Sequence, residues 1–122
     1  MKAAWITVSL SLFASMAWAD APPSSKTQAE IRALIGALKQ SGCEFSRNGS
    51  WYDSAKAAAH LQQKYDYLLK KNLVPTTAAF IERAGSQSSM SGKAYQVRCA
   101  GQAPVNSADW LNAQLKQLAA TR

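Results

Sequence analysis

The chain has 122 residues, with fourteen Lys and Arg against seven Asp and Glu, so its formal charge at pH 7 is +7. That length allows one small domain. Beyond the first nineteen residues no apolar run approaches the roughly 18–20 residues that span a bilayer, so we expect no membrane span. Two cysteines and one histidine are too few for a typical zinc site, and we expect neither a metal nor a cofactor.

The first nineteen residues are typical of a secretory signal peptide. They have a positive start at Lys2, an apolar run over residues 3–16 and a small-x-small cleavage site that ends at Ala19. The run is too short and wrongly flanked for a membrane helix. We therefore expect cleavage after Ala19 and export to the periplasm. The mature chain keeps thirteen basic and seven acidic residues, which gives a formal charge of +6.

The first part of the mature chain is predicted to form a leader, a helix and a strand. Residues 20–26 are rich in proline and serine and are expected to be disordered. A helix with a capping box that starts at Thr27 carries one apolar stripe and ends at Ser41-Gly42. A brief strand over residues 43–47 stops at Asn48-Gly49, a pair that tolerates positive φ in turns.

The second part of the chain is predicted to hold three helices and another strand. Capping residues and periodicity give, in chain order, a long helix from Ser50 or Asp53 through Lys71, a shorter helix capped by Thr76, a loop over residues 85–92, a strand over residues 94–99 and a last helix after Asn106. Residues 27–122 are therefore expected to form one helix-rich α+β domain, ordered helix, strand, helix, helix, strand, helix.

The two cysteines, Cys43 and Cys99, lie in the two predicted strands. In an oxidising compartment an even pair of cysteines is expected to form a disulfide. That bond would hold the strands side by side and predicts a two-stranded sheet. The alternative is a catalytic thiol with His60 as its base.

His60 is the one histidine and lies between Lys56 and Lys64 on one face of the long helix. Its ordinary pKa is the closest to neutrality of any side chain in this sequence. An enzyme reading, a small hydrolase, pairs His60 with a serine of the loop, which offers Ser86, Ser88, Ser89 and Ser91. The structural alternative is a partly buried histidine that hydrogen-bonds a neighbouring loop.

The basic charge is spread over every predicted element rather than collected in one run. Such a surface attracts polyanions. The expected kind of partner is an anionic envelope component or a periplasmic protein. Nucleic acid is not expected, because the protein works outside the cytoplasm and has no visible aromatic stacking platform. We expect a monomer.

Two segments of the chain combine polar and apolar anchor residues in a distinctive order. The first comprises Phe45-Ser46-Arg47-Asn48-Gly49, Tyr52, Ala58-Ala59-His60-Leu61 and Lys64, and the second comprises Thr77-Ala78, Phe80-Ile81, Ser86, Ser88-Ser89, Ser91-Gly92, Tyr95 and Val97. In this order and spacing they resemble the YfeK-like family of small exported bacterial proteins, domain of unknown function 5329. The resemblance covers residues 29–99 and implies a periplasmic domain with no assigned activity.

The resemblance singles out three polar motifs, Arg-Asn-Gly, His-Leu-x-x-Lys and Ser-Ser-x-Ser-Gly, which flank the strands and one helix face. From them and their neighbours we infer a candidate binding surface of Arg47, Asn48, His60, Lys64, Ser89, Ser91 and Lys93. The structural alternative is that these residues form turns, caps and loop hydrogen bonds. Separately, Ser91-Gly92-x-x-Tyr95 is similar to the loop with which periplasmic lysozyme inhibitors enter a hydrolase cleft.

The leading hypothesis is a non-catalytic binding or interaction module of the bacterial cell envelope. It is favoured over an enzyme because the sequence holds no recognisable nucleophile motif, metal site or cofactor loop. The two alternatives are a small hydrolase that uses His60 with a loop serine, and a periplasmic inhibitor of cell-wall hydrolases that uses the Ser91–Tyr95 loop.

Overall fold

The computed structural model describes residues 22–121, so the signal peptide and the first two residues of the leader lie outside the described residues. In this part the chain forms α1 (Ser25–Gln40), β1 (Glu44–Arg47), β2 (Ser50–Tyr52), α2 (Ser54–Lys70), α3 (Thr77–Ala84), β3 (Gln96–Arg98), β4 (Val105–Asn106) and α4 (Ser107–Ala120). The predicted α+β class is confirmed. Of these described helices, none combines the length and the apolar composition that a bilayer crossing requires.

The sheet has four antiparallel strands in the order β2-β1-β3-β4, so the prediction of a two-stranded sheet is wrong in strand number. The pair on which it rested is present, with Phe45 of β1 opposite Val97 of β3. β2 was missed because Ser50 was interpreted as a helix cap. It pairs with β1 across Asn48-Gly49, whose φ values of 51° and 82° suit a two-residue hairpin.

Two further boundaries differ from the predictions. Helix α1 begins at Ser25, because the Ser24 hydroxyl accepts a hydrogen bond from the Thr27 backbone N–H at 3.1 Å and so takes the capping role. Ser25 and Lys26, expected in a disordered leader, are therefore helical. Strand β4 has two residues, too few to produce a detectable alternation.

The caps of α2 and α3 agree with the predictions. The side chain of Asp53 accepts from the Lys56 N–H at 2.9 Å, and that of Thr76 accepts from the Ala79 N–H at 3.1 Å. These caps fix where each helix begins, and the spacing of the apolar residues determines which face turns inward. The buried core joins all four described helices and the sheet through Ile31, Leu34, Leu38, Phe45, Leu61, Phe80, Tyr95, Val97 and Leu111.

Cys43 and Cys99 form the predicted disulfide, with their Cα atoms 4.3 Å apart. The strand register explains it: Glu44 pairs with Arg98, so the residue before one faces the residue after the other. Neither cysteine is a free thiol, which removes the catalytic-thiol alternative. The bond therefore fixes β1 to β3 at one end of the pair.

Candidate functional site

A cleft of about 290 Å³ opens at the other end of β1, where this strand meets α2, α3 and the loop that follows α3. Four residues of the predicted surface line it, namely Arg47, His60, Lys64 and Ser89, together with Gln63, Tyr67, Leu68 and Arg83. β1 ends in Arg47, and α2 presents His60 and Lys64 one turn apart. We call this the basic cleft.

The residues that sequence reasoning missed lie mostly on α2. Gln63, Tyr67 and Leu68 follow His60 by three, seven and eight positions, which is the spacing of one helix face. That spacing could have identified them as neighbours of His60, but the sequence analysis considered only the i, i+4, i+8 positions Lys56, His60 and Lys64. Arg83 comes from α3, and nothing in the sequence connected it to this face.

A hydrogen-bond network joins three lining residues of the basic cleft to the buried Tyr95. The Arg47 guanidinium lies 3.2 Å from Nδ1 of His60, and Nε2 of His60 lies 3.2 Å from the Tyr95 hydroxyl oxygen. Nζ of Lys64 donates to the same hydroxyl at 3.2 Å and to the backbone carbonyl of Gln87 at 3.2 Å. Two helix residues, a strand residue and a residue just before β3 are thereby held together.

The donors and acceptors of this network fix the tautomer of His60. A guanidinium only donates, so Nδ1 of His60 accepts from Arg47 and the proton of the neutral ring is on Nε2, which donates to Tyr95. An ammonium also only donates, so the Tyr95 oxygen accepts from Lys64 as well. The Tyr95 hydroxyl keeps its own proton, and within residues 22–121 none of these three bonds uses it.

Burial and the two cations shift the titration of these groups. Burial, then the positive charge of Arg47, then that of Lys64 lower the pKa of His60 to about 4, so the imidazole is neutral at pH 7. Burial and Arg47 also lower the pKa of Lys64. Burial raises the pKa of Tyr95, against a smaller opposite effect of Arg47. At neutral pH the network therefore combines charged Arg47 with an uncharged imidazole and phenol.

The remaining predicted surface residues lie outside the basic cleft. The Ser91 hydroxyl donates to Oδ1 of Asn48 at 2.7 Å, which ties the loop after α3 to the β1–β2 turn. Lys93 is exposed in the same loop, and its backbone N–H donates to the Ser91 hydroxyl at 3.3 Å. The structure thus brings Arg47, His60, Lys64 and Ser89 together, and places Asn48, Ser91 and Lys93 beside them.

The loop serines are engaged elsewhere than on His60. The hydroxyl of Ser86 donates to the Glu82 carbonyl, and that of Ser88 accepts from the backbone N–H groups of Met90 and Ser91. In the described part of the chain, no serine hydroxyl hydrogen-bonds His60, although Ser89 lines the same cleft. Tyr95 is buried, so the loop that resembles an inhibitor motif does not present this side chain at the surface.

A second cleft of about 250 Å³ adjoins the basic cleft and shares Arg47, His60 and Gln63 with it. Its other lining residues are Phe45, Tyr52, Lys56, Ala57 and Ala59. We call this the aromatic cleft, because the exposed ring of Tyr52, the last residue of β2, lines it. The pair forms a continuous depression on both sides of the Arg47–His60 contact.

Both clefts lack acidic lining residues among the residues that the structure describes. No three His, Cys, Asp or Glu side chains between positions 22 and 121 come together in a way that could hold a metal ion. The chemistry that this arrangement offers is therefore hydrogen-bond donation and positive charge. Such groups bind oxyanions and carboxylates.

The fold and the cleft define a small, disulfide-linked α+β domain with a basic depression on its surface. The family of unknown function DUF5329 matches residues 25–119, so the chain belongs to this family and the resemblance is confirmed. The uncharacterised protein YfeK of Salmonella typhimurium is 34% identical over 80 residues, which are 65% of this chain and 63% of that protein. The match thus spans less than two thirds of the relative. No solved structure matches the chain.

Proposed function

We propose that this protein is an exported, non-catalytic binding module of the bacterial cell envelope, and that its ligand is an anionic envelope component held in the basic cleft. One observation carries the proposal: Arg47 and Lys64 line the same cleft, and no acidic residue between positions 22 and 121 lines it with them. Two cations close to each other repel, and an anion between them removes that repulsion.

The electrostatics of the cleft support a binding role. Burial first, and then the positive charge of Arg47, lower the pKa of both His60 and Lys64, so the folded chain holds these groups against an unfavourable interaction. A fold that keeps such a cluster gives up stability at that place, and sites of this kind are often functional. A bound anion would reverse the sign of the local field.

Two features support the proposed location outside the cytoplasm. The N-terminal segment has the pattern of a signal peptide cleaved after Ala19, and the Cys43–Cys99 disulfide suits an oxidising compartment such as the periplasm. We propose that the mature protein acts there as a monomer.

Binding is favoured over hydrolysis because of the state of His60. A general base works best when its pKa lies near the operating pH, and burial beside two cations lowers the pKa of His60 to about 4. Its Nδ1 also accepts from Arg47, so the free lone pair that a base needs is already engaged. The same contacts make His60 a fixed spacer between Arg47 and Tyr95.

The proposal is tested by mapping where small anions bind. Citrate and sulfate are titrated into the ¹⁵N-labelled mature chain at low ionic strength while amide chemical shifts are recorded. We expect the changes to concentrate at Arg47, His60, Lys64 and Ser89, because donors converge there. Shifts of equal size around exposed lysines elsewhere, such as Lys39 and Lys116, would contradict the proposal.

A charge-matched pair of variants separates the cleft from the overall charge. Arg47→Gln/Lys64→Gln and Lys39→Gln/Lys116→Gln each lose two positive charges. We expect the first to weaken citrate binding by about tenfold or more and the second by no more than about twofold, because charge-assisted hydrogen bonds outweigh screened surface charge.

A further inference from the structure

We infer that the ligand of this depression is a phosphorylated sugar, with its phosphate monoester in the basic cleft and its ring in the aromatic cleft. The inference rests on the proposed function, since it names the class of anion that the same site takes. It follows from three properties of the lining residues: their donors, their charge and the nature of the adjoining cleft.

The polar groups at the junction of the two clefts act almost entirely as donors. Within the described part, the Arg47 side chain makes one hydrogen bond, to His60, and the other N–H groups of its guanidinium remain for a ligand. Lys64 uses two of its three N–H groups. A ligand must therefore supply several acceptor oxygens and no protons, as the three terminal oxygens of a phosphate monoester do.

The charge of the cleft favours a doubly charged anion. Arg47 and Lys64 both line the cleft beside the neutral His60 and bring two positive charges to it. A phosphate monoester carries about −1.5 to −2 at pH 7. A single carboxylate carries −1 and two oxygens, so it would leave one cation without a counter-charge. The monoester is therefore the better match.

The aromatic cleft suits the ring of a sugar. The exposed Tyr52 ring and the methyl group of Ala59 offer an apolar surface with the buried Ala57 behind it, and Gln63 and Lys56 add polar groups to the lining. A sugar presents the same combination, with C–H groups on its faces and hydroxyls around its rim. Because Arg47 lines both clefts, the phosphate and the ring of one small molecule can occupy them together.

The decisive experiment compares four probes by calorimetry with the mature chain at pH 7.5. Glucose 1-phosphate has both parts of the proposed ligand, inorganic phosphate has only the anion, glucose has only the ring, and glucuronate has the ring with a carboxylate. We expect glucose 1-phosphate to bind at least about tenfold more tightly than glucuronate or inorganic phosphate, and glucose to bind most weakly.

Two variants assign the parts of the ligand to the two clefts. Tyr52→Ala should weaken glucose 1-phosphate severalfold and leave inorganic phosphate unchanged, because the ring contact is lost and the anion contact is not. Lys64→Gln should weaken both, whereas Lys116→Gln, with the same loss of charge on α4, should weaken neither beyond about twofold.

The outcomes separate this inference from the proposed function. Equal or tighter binding of glucuronate would overturn the phosphorylated sugar and leave an anion-binding module in place. An unchanged affinity of Tyr52→Ala for glucose 1-phosphate would overturn the placement of the ring. If none of the three anions binds, both the inference and the proposed function fail.

A phosphorylated sugar can be a free solute or the head group of a glycolipid. Phosphatidylcholine vesicles that carry a glucosamine 1-phosphate glycolipid distinguish the two sources. Vesicle binding that glucose 1-phosphate displaces supports a lipid head group. Binding of soluble glucose 1-phosphate without vesicle binding supports a free solute.

Discussion

The two arginines near the two ends of β1 have different partners. At the disulfide end, Arg98 lies 3.1 Å from the carboxylate of Glu44 and 4.1 Å from the centre of the Trp51 ring. At the other end, Arg47 lies 3.2 Å from His60, with Lys64 on the same network. One arginine has a counter-charge and an aromatic surface, and the other has a neutral acceptor beside a second cation.

This difference separates a structural arginine from a candidate binding arginine. Arg98 has a carboxylate and an aromatic ring as partners within the chain, so its charge contributes modestly to the stability of the fold. Arg47 keeps most of its donors and its full charge for a partner. In this basic protein the position of the carboxylates, and not the number of basic residues, marks the candidate site.

The largest expected effect on stability comes from removing the Cys43–Cys99 disulfide. Cys43→Ala/Cys99→Ala should lower the free energy of unfolding by about 4 kcal/mol, because a loop between residues 56 positions apart is no longer closed in the unfolded chain. Urea denaturation followed by circular dichroism measures the loss. A reductant should destabilise the wild type by a similar amount and leave the variant unchanged.

Acid should lower the stability of the protein through His60, at the other end of β1. Unfolded His60 takes up a proton below its ordinary pKa of 6.5, whereas the folded protein resists it down to about 4, so stability is complete above pH 6.5 and falls as the pH drops from 6.5 to 4. Solvent screening at this half-buried group reduces the expected loss to about 1–2 kcal/mol. The measurement is the urea midpoint across this pH range.

The control for the acid effect removes the titrating group. His60→Asn keeps an acceptor for Arg47, and the pH dependence between 6.5 and 4 should shrink by the amount assigned to His60. Nuclear magnetic resonance of the imidazole adds a finer test: Arg47→Gln should raise the pKa of His60 by up to about one unit, and Lys64→Gln by less. Glu44→Gln, at the opposite end, should leave that pKa in place.

The smallest effect is expected at Arg98. Its side chain is 40% exposed and that of Glu44 is 50% exposed, so water and salt screen the ion pair. Arg98→Met should lower the free energy of unfolding by about 0.5–1 kcal/mol, including the contact with Trp51. The loss should shrink in high salt. If Arg98→Met lost more free energy of unfolding than the disulfide variant, the ion pair would matter more than the disulfide, contrary to this prediction.

Local chemistry explains which parts of the fold could be predicted. Asp53 and Thr76 cap their helices with their own side chains, and Asn48-Gly49 provides the positive φ of a tight turn. These signals act over three or four residues, so the sequence displays them directly. β2 and β4 are three and two residues long, and partners elsewhere in the chain define them rather than a pattern of their own.

The candidate site was predictable only in part, for the same reason. The polar motifs pointed to Arg47, His60, Lys64 and Ser89, and the structure places all four around one cleft. Tyr95 was part of the motifs but not of the predicted surface, because nothing in the sequence shows that its hydroxyl meets both His60 and Lys64. Arg83 lines the cleft because α3 packs beside it, and this packing is not visible in the sequence.

The four helices, the turn at Asn48-Gly49, the fold class and the pairing of Cys43 with Cys99 could be predicted from the sequence, since capping, periodicity and an even cysteine count are local or countable properties. Which charged side chains come into contact depends on the packing of the chain. The register of β1 against β3 brings Glu44 to Arg98, and the phase of α2 brings His60 to Arg47. Electrostatic energy depends on distance and burial, which exist only once the chain is packed.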